Sequence, residues 1–334
     1  MAHMIDMSNG RANIAFTNEV PWHGLGIPMR KGQPLEEWRI EAGLTWQAEP
    51  RTLQILNAKG EAVTLASHKG LARSDNDALL SIVSADYMPV QPLEVVEFFR
   101  DLVDRHGYEM DCCGALRDGR VIWATAKCGV TARIKGQDEV HGYLLLATSY
   151  DKSMATTARF TSIRTVCNNT LTAAYRGGAH VVSVPHSTTF DAARVKVDLG
   201  LGDAWAQHVV DVEQLASIEV SPAQTVDFFL RTYYKLRGDA TTPEYEVVAK
   251  DLLGQDRVEA AFQRFVAILQ QAPGQSLRSA NGTAWGLVNA VTFDMDHTRR
   301  ERAPGNRFAS SAFGTGEQTK LRAFAAAQAL ALAA

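Results

Sequence analysis

The stretch YEMDCCGALRDGRVIWATAKCG, residues 108–129, is the clearest indication of fold in this chain of 334 residues. Two largely apolar runs flank Arg117-Asp118-Gly119. An Asp-Gly pair between two such runs is a strong hairpin signal, because both residues tolerate the positive φ of a tight turn. The segment therefore predicts two antiparallel strands joined by a short turn.

The sequence on either side repeats this kind of signal. NAKGE (57–61), with Gly60, predicts a second hairpin, and ALLSIVSADYMPVQP (78–92) predicts a strand that ends in a proline-bounded turn. Two more strands are predicted over 139–151 and 154–166. Helices are predicted over 34–43 and 93–107, the latter closed by Gly107. The fold class predicted is α+β, with a hairpin-rich antiparallel sheet and packed helices.

Beyond about residue 200 the hydrophobic pattern becomes helical. Several stretches begin with a capping residue, and Ser221-Pro222 and Thr242-Pro243 are the clearest helix starts because proline suits the first helical position. We predict an α+β core domain over 1–198 and a mostly helical C-terminal region over 199–334.

Composition excludes several classes of protein. With 46% apolar and 21% charged residues and a formal net charge of −3, the chain has neither a disordered profile nor an overall basic bias. We expect a cytoplasmic protein without membrane contact, because the first residues lack a signal-peptide pattern and no apolar run is long enough to span a bilayer. The four cysteines form no C-x-x-C pair, and no glycine-rich phosphate loop occurs. No metal and no cofactor are predicted.

TSIRTVCNNTLTAAYRGG, residues 161–178, is the first candidate site. It combines Arg164 with Asn168 and Asn169 ahead of a stretch that we interpret as a short helix starting within 165–170. A helix start beside an arginine would bind an anion through backbone N–H groups. We expect one asparagine to cap the helix and the other to contact a ligand.

The same region is locally basic. Residues 152–196 contain six basic side chains and one acid, an excess of five positive charges in an acidic chain. Lys152, Arg159, Arg164 and Arg176 are the predicted contacts to a phosphate backbone. A solvated face with scattered arginines is the alternative, and the sequence leaves it open.

PWHGLG, residues 21–26, is the second candidate. Trp22 and His23 would stack on a base or ribose if exposed, whereas a tryptophan packed in the core beside two turn glycines is the alternative. DMDH (294–297) is not predicted to bind metal, because residues two apart on a helix point to different sides. The arginines that follow it are expected to pair with its acids.

The chain also resembles a known family. The blocks NGRANIAF, PWHGLG, EAGLTWQAEP, RTVCNNTL and GTGEQTKLRAFAAAQAL are similar to the phage/plasmid-like proteins built on domain of unknown function 932. The resemblance implies a context in bacterial prophages, plasmids and integrative elements, near genes of DNA replication and recombination. It implies no catalytic residue.

Three functions stay open at this point. We expect a non-catalytic accessory factor that binds nucleic acid, single-stranded DNA first, and that forms homo-oligomers to extend its groove. The second is a thiol-dependent or nucleotide-processing enzyme centred on Cys167, with His23, His141, His180 or His186 as its base. The third is a protein-interaction factor acting against host defence.

Overall fold

The structure, a computed structural model, describes residues 4–7, 10–17, 24–164, 169–172, 181–299 and 307–333. The elements up to residue 199 are, in chain order, β1 (Ile14–Phe16), β2 (Ile27–Pro28), α1 (Leu35–Glu41), β3 (Ala48–Leu56), β4 (Ala62–Arg73), β5 (Leu79–Ser84), α2 (Pro92–Glu97), α3 (Arg100–His106), β6 (Glu109–Leu116), β7 (Val121–Ile134), β8 (Asp138–Ser149), β9 (Thr156–Arg164), β10 (Asn169–Thr172), β11 (Val181–Val184) and α4 (Ala192–Leu199). The remaining elements are α5 (Leu201–Ser217), α6 (Pro222–Tyr234), α7 (Pro243–Leu253), α8 (Asp256–Gln271), α9 (Ala284–Phe293), a π-helical turn (Asp294–Thr298), α10 (Arg307–Phe313) and α11 (Thr315–Ala333).

The strands form two sheets. The larger has the order β10-β9-β8-β7-β6-β1-β2, with β11 also paired to β9, and the smaller has the order β3-β4-β5. The β6–β7, β3–β4 and β9–β10 pairs are antiparallel, while β1 and β2 run parallel. From Leu201 onward, every named element in the described part of the chain is helical. The predicted α+β class, with its hairpin-rich sheet and helical C-terminal region, is confirmed.

The Asp-Gly hairpin forms where the sequence predicts it. Arg117, Asp118 and Gly119 have φ values of 54°, 57° and 90°, so three successive residues adopt the left-handed region between β6 and β7. Gly119 is required for a second reason: a Cβ there would lie 2.9 Å from the Trp46 ring and 3.0 Å from an Arg73 guanidinium nitrogen. This turn therefore packs directly against a buried side-chain network of β4.

The single helix predicted over 93–107 is two helices. α2 ends at Glu97 and α3 begins at Arg100, with Phe98 and Phe99 at the break and both rings buried. Their rings meet edge to face with centroids 5.1 Å apart. Gly107 ends α3 with a φ of 69°, as predicted.

The chain forms two compact units, which interleave in sequence. One comprises Met1–Gly129, Tyr143–Phe160 and Val181–Leu201; the other comprises Val130–Gly142, Thr161–His180 and Gly202–Ala334. The predicted division into a core domain over 1–198 and a C-terminal region over 199–334 stays a prediction.

The core of the second unit surrounds α9. Every residue of α9 from Ala284 to Thr292 is buried, as expected of a helix that is covered on all sides. Phe228 and Phe229 of α6 pack on Phe265 of α8, with ring centroids 6.1 Å and 5.6 Å away. The predicted helix starts at Ser221 and Thr242 are confirmed, since each hydroxyl accepts the backbone N–H three residues ahead.

Candidate nucleic-acid interface

The segment predicted to carry the site is a strand pair. β10 runs antiparallel to β9 with Asn169 opposite Arg164 and Thr172 opposite Thr161. β10 is the end strand of the larger sheet. The structure describes the backbone of Arg164 and Asn169, and it makes these two predicted contacts direct cross-strand partners.

The prediction of a helix starting within 165–170 is wrong for the residues of this segment that the structure describes. Residues 169–172 are a strand, with Thr170 opposite Ile163 and Leu171 opposite Ser162. Threonine favours strands because its branched Cβ suits the pleat, and pairing with β9 supplies the backbone hydrogen bonds that a helix would make internally. Asn169 is therefore not a helix cap, and the anion site expected at a helix start is withdrawn.

Arg159 lies in the interior. It is on β9 opposite Val181, is 6% exposed, and burial lowers the pKa of its guanidinium to about 10. Such a side chain offers a nucleic acid almost no surface. Arg159 is therefore not part of the candidate interface.

Lys152 lies at the surface. It occupies the turn between β8 and β9 with a φ of 63°, and its side chain is exposed. The exposed Lys152 side chain is compatible with the predicted phosphate contact.

Two of the other basic residues in 152–196 are neutralised by acids. Arg194 is held by Asp198, four residues along α4, at 3.0 Å. Lys196 forms an ion pair with Asp101 of α3 and lies over the Phe98 ring. Although partial burial opposes it, this ammonium holds the pKa of the Asp101 carboxyl below its usual value. The local excess of positive charge is thus smaller than a count along the sequence indicates.

Six of the candidate site residues named above fall outside the described part of the chain. They are Trp22, His23, Cys167, Asn168, Arg176 and His180. The glycines beside Trp22 and His23 are described: Gly24 and Gly26 have φ values of 67° and 115°, as expected for a tight turn.

The structure reveals a hydrogen bond that the sequence analysis missed. His208 of α5 lies with its Nε2 2.8 Å from the Ser162 Oγ of β9, and both residues are 2% exposed. The His208 ring is stacked on Phe324 of α11 and also contacts Trp205. Nothing near His208 in sequence points to Ser162, which is 46 positions away. A substrate would have to reach a buried hydroxyl, so this pair is better explained as a satisfied core contact.

Two of the four histidines proposed as bases for Cys167 are described, and both have other partners. His186 stacks on Tyr87 with ring centroids 4.6 Å apart, its Nε2 is 3.3 Å from the Met154 carbonyl oxygen, and burial lowers its pKa. His141 Nδ1 lies 2.8 Å from the Thr131 hydroxyl. His23 and His180 are outside the described residues.

The three described cysteines all have a raised thiol pKa. Burial raises the pKa of Cys113 and of Cys128, the latter to about 12, and desolvation with the nearby Asp111 carboxylate raises that of Cys112. Because the thiolate is the nucleophile, these groups react slowly at neutral pH.

We therefore expect iodoacetamide, at neutral pH, to leave Cys112, Cys113 and Cys128 unmodified in the folded protein and to modify all three in urea. Mass spectrometry of the digested protein measures each site. Rapid labelling of any of the three before unfolding would contradict this. The labelling rate of Cys167 can then be measured without interference from the other three cysteines. Labelling faster than that of a free thiol favours the enzyme hypothesis, and Cys167→Ser serves as the unlabelled control.

The acids of residues 294–297 have protein partners. Asp294 accepts the Tyr233 hydroxyl at 2.9 Å, and Asp296 accepts the Lys320 ammonium at 2.8 Å and the Ser311 hydroxyl. Among the described residues, Asp296 pairs with a lysine 24 positions away. Of the arginines that the sequence predicted as partners, Arg300 and Arg302 lie outside the described residues, so that prediction stays a prediction. In the ranges that the structure describes, no group of three His, Cys, Asp or Glu side chains is arranged to hold a metal ion.

These observations define an α+β protein whose candidate site is a strand pair at one end of a large sheet, followed by a helical region built around a buried helix. Of the helices that are described, none is long and apolar enough to cross a membrane. The chain belongs to the family described as Domain of unknown function (DUF932), whose sequence model matches residues 79–314. The match extends from β5 to the end of α10 and includes the β9–β10 pair. No curated protein and no solved structure matches the chain.

Proposed function

We propose that this protein binds single-stranded nucleic acid along the β9–β10 end of its larger sheet, without catalysing a reaction. One observation carries the proposal: Arg164 and Asn169 are opposite each other on the last pair of strands. Directly opposed residues on an antiparallel pair are close enough to act on one ligand.

The chemistry of this pair suits a nucleotide. Arginine donates a planar fork of hydrogen bonds that matches a phosphate, and asparagine offers both a donor and an acceptor to a base edge or a sugar. Trp22, His23, Lys152, Asn168 and Arg176 stay predicted contacts from the sequence, and the proposal itself depends on Arg164 and Asn169. A basic surface with aromatic platforms needs no sequence-specific readout, which is why single strands are the favoured ligand.

The biological setting is part of the proposal. The resemblance to phage/plasmid-like proteins supports a role as an accessory factor of a mobile element, in replication or recombination. We propose that homo-oligomers align several such strand pairs, so that one strand of nucleic acid contacts more than one copy.

Variants at the two opposed positions test the proposal. Arg164→Ala should weaken binding of a fluorescent oligothymidylate about tenfold or more, and should reduce the slope of log affinity against log salt by about 1, because one phosphate contact is lost. Asn169→Ala should weaken binding without changing that slope, since a neutral amide releases no counterion. Fluorescence anisotropy across a salt series measures both quantities.

Arg194→Ala is the matched control. Arg194 lies in the same basic segment, but it is exposed and already held by Asp198. Its removal should leave affinity and slope unchanged. If all three variants bind like the parent, or if the parent does not bind at low salt, the β9–β10 pair is architecture and the proposal fails. The thiol-enzyme and protein-interaction hypotheses would then be the ones to pursue.

A further inference from the structure

Strand β3 is an end strand of the smaller sheet, and the first half of its outer edge is protected. Gln91 covers the start of this edge: the Ala48 N–H donates to the Gln91 side-chain oxygen at 2.8 Å, and the Ala48 carbonyl oxygen accepts from the Gln91 amide at 3.2 Å. Pro50 follows, and it has no N–H to offer another strand. Natural sheets use such covers and prolines to prevent pairing with a further chain.

The second half of the edge, from Thr52 to Leu56, has no such cover. Outward-facing and inward-facing backbone groups alternate along an antiparallel strand. Ala48 faces outward, whereas Asn57 faces inward, because its N–H donates to the Glu61 carbonyl oxygen across the hairpin at 3.0 Å. The irregularity of register in the middle of β3 adds its extra residues to β4, so the alternation along β3 is unbroken. The outward-facing residues of this open half are therefore Thr52, Gln54 and Leu56.

The open half of the edge carries exposed apolar side chains. Ile55 is 53% exposed, Leu56 is 73% exposed, and Val63, which lies opposite Ile55 on β4, is 45% exposed. Within the described ranges, no hydrogen bond reaches the outward N–H and C=O groups of Thr52, Gln54 and Leu56. An apolar edge strand with unpaired backbone groups is a template for pairing with another strand.

Charges of opposite sign flank the open half. Glu49 precedes it, and its Oε2 accepts from Arg51 at 2.8 Å, so that Oε1 has no partner among the described residues. Lys59 follows it in the hairpin turn, where it is exposed and forms no ion pair with a described residue. Glu49 and Lys59 are equally far from Gln54 along the sequence. The edge is thus complementary to itself, because a twofold axis at Gln54 brings each Glu49 towards the Lys59 of a second copy.

We propose that two copies of this chain pair through β3 as antiparallel strands, with the twofold axis at Gln54, so that their smaller sheets join into one. In this register Gln54 lies opposite itself and Thr52 lies opposite Leu56 of the second copy, which matches outward-facing residues with each other. Leu53 lies opposite Ile55, and directly opposed apolar side chains stabilise a strand pair. This contact rests on the homo-oligomers of the proposed function and gives them a location. It requires no nucleic acid and no residue of β9 or β10.

Charge selects this register over a neighbouring one. With the axis at Gln54, Glu49 of each copy lies beside Lys59 of the other. With the axis moved to Ile55, Arg51 would lie opposite Lys59, and like charges directly opposite each other destabilise a strand pair. The dimer therefore depends on the signs of the charges at positions 49 and 59.

Charge reversal tests the contact. Glu49→Lys places a lysine beside Lys59, and Lys59→Glu places a glutamate beside Glu49, so each variant should dimerise about tenfold more weakly than the parent. An equimolar mixture of the two variants should dimerise like the parent, because a mixed dimer has an attractive pair at both ends. Sedimentation velocity of the full chain over a concentration series, without nucleic acid, measures each dissociation constant. Lys135→Glu, at an exposed lysine in the turn after β7, is the control and should leave dimerisation unchanged.

Gln54→Pro tests the backbone pairing. The outward N–H of Gln54 makes no bond to β4, so a proline should leave the sheet folded while it removes two hydrogen bonds across the twofold axis. Dimerisation should weaken at least tenfold. Circular dichroism checks that the variant is folded. If it does not fold, the mixture of the two charge variants still decides the question.

Three results would overturn the proposal: a parent that stays monomeric up to its solubility limit, a dimer that neither charge reversal weakens, or a weakened dimer that mixing does not restore. Arg164→Ala should dimerise like the parent, and the two charge variants should still bind oligothymidylate. A dimer formed through β3 that binds no oligonucleotide would refute the nucleic-acid proposal alone. A monomer that binds the oligonucleotide would refute the β3 contact alone.

Discussion

Arg73→Met will lower the free energy of unfolding by about 3–5 kcal/mol, the cost of removing one partner from a buried ion pair. Arg73 is 1% exposed and Asp6 is fully buried, and their charged groups are 2.7 Å apart. Methionine fills much of the same volume but leaves the Asp6 carboxylate without its cation. The measurement is urea unfolding followed by circular dichroism.

The surroundings of Arg73 explain why the effect is large. Its guanidinium also makes two hydrogen bonds to Asp75 and lies 4.5 Å from the centre of the Trp46 ring. Asn13 donates a second hydrogen bond to the same Asp6 oxygen at 2.7 Å. Burial opposes the charge of Arg73, but the two carboxylates raise its pKa above the usual value. The ion pair joins the end of β4 to the N-terminal segment.

Arg51→Met is the control, because Arg51 of β3 also bridges two acids, Glu49 and Asp77, but at the surface. The loss of stability in Arg51→Met should be much smaller than in Arg73→Met, since exposed ion pairs contribute little. The double variant Asp6→Asn with Arg73→Met should lose less than the sum of the two single variants, because the unpaired charge is gone. Additive losses would show that Arg73 and Asp6 are not energetically coupled.

Lys320→Met will also lower the free energy of unfolding by about 3–5 kcal/mol, because it too removes one partner from a buried ion pair. The Lys320 side chain is 3% exposed, and its ammonium donates to Asp296 at 2.8 Å and to the Ser311 hydroxyl at 2.9 Å. Ser311 in turn donates to Asp296. These three side chains hold α10 and the π-helical turn against α11, so the loss should appear as reduced stability to urea.

Lys250→Met provides the comparison. Lys250 pairs with Glu246 one helical turn away on α7, with both side chains exposed. Its removal should change stability far less than removal of Lys320. Equal effects of the two substitutions would mean that burial does not determine the strength of the Lys320–Asp296 pair.

Much of the fold could be predicted from local signals. The hairpin at Arg117-Asp118-Gly119 follows from a turn that only a few residue types adopt easily, and the helix starts at Ser221 and Thr242 follow from a hydroxyl followed by proline. These features are decided within a few residues. Their energetics are the same in most tertiary settings, so a sequence pattern is sufficient to find them.

The candidate site was harder to predict. Arg164 and Asn169 were named from sequence, but their relation was not, because it depends on the register of β10 against β9. Arg159 was predicted to be a surface cation, but it is buried on β9, and the sequence does not show which face of a strand is covered. Lys196 is neutralised by Asp101, 95 positions away, which no count along the chain could include.

Local sequence patterns were enough to predict the Asp-Gly hairpin, the helix starts at Ser221 and Thr242, the α+β class and the family. Packing in the folded chain made residues 169–172 a strand and divided 93–107 into two helices at Phe98 and Phe99. It also decided which charges are buried in pairs, as at Asp6 and Arg73, and which remain exposed. The reason is the range of the forces. Turn and cap preferences act between near neighbours, whereas sheet pairing, burial and charge neutralisation depend on partners that sequence separation does not reveal.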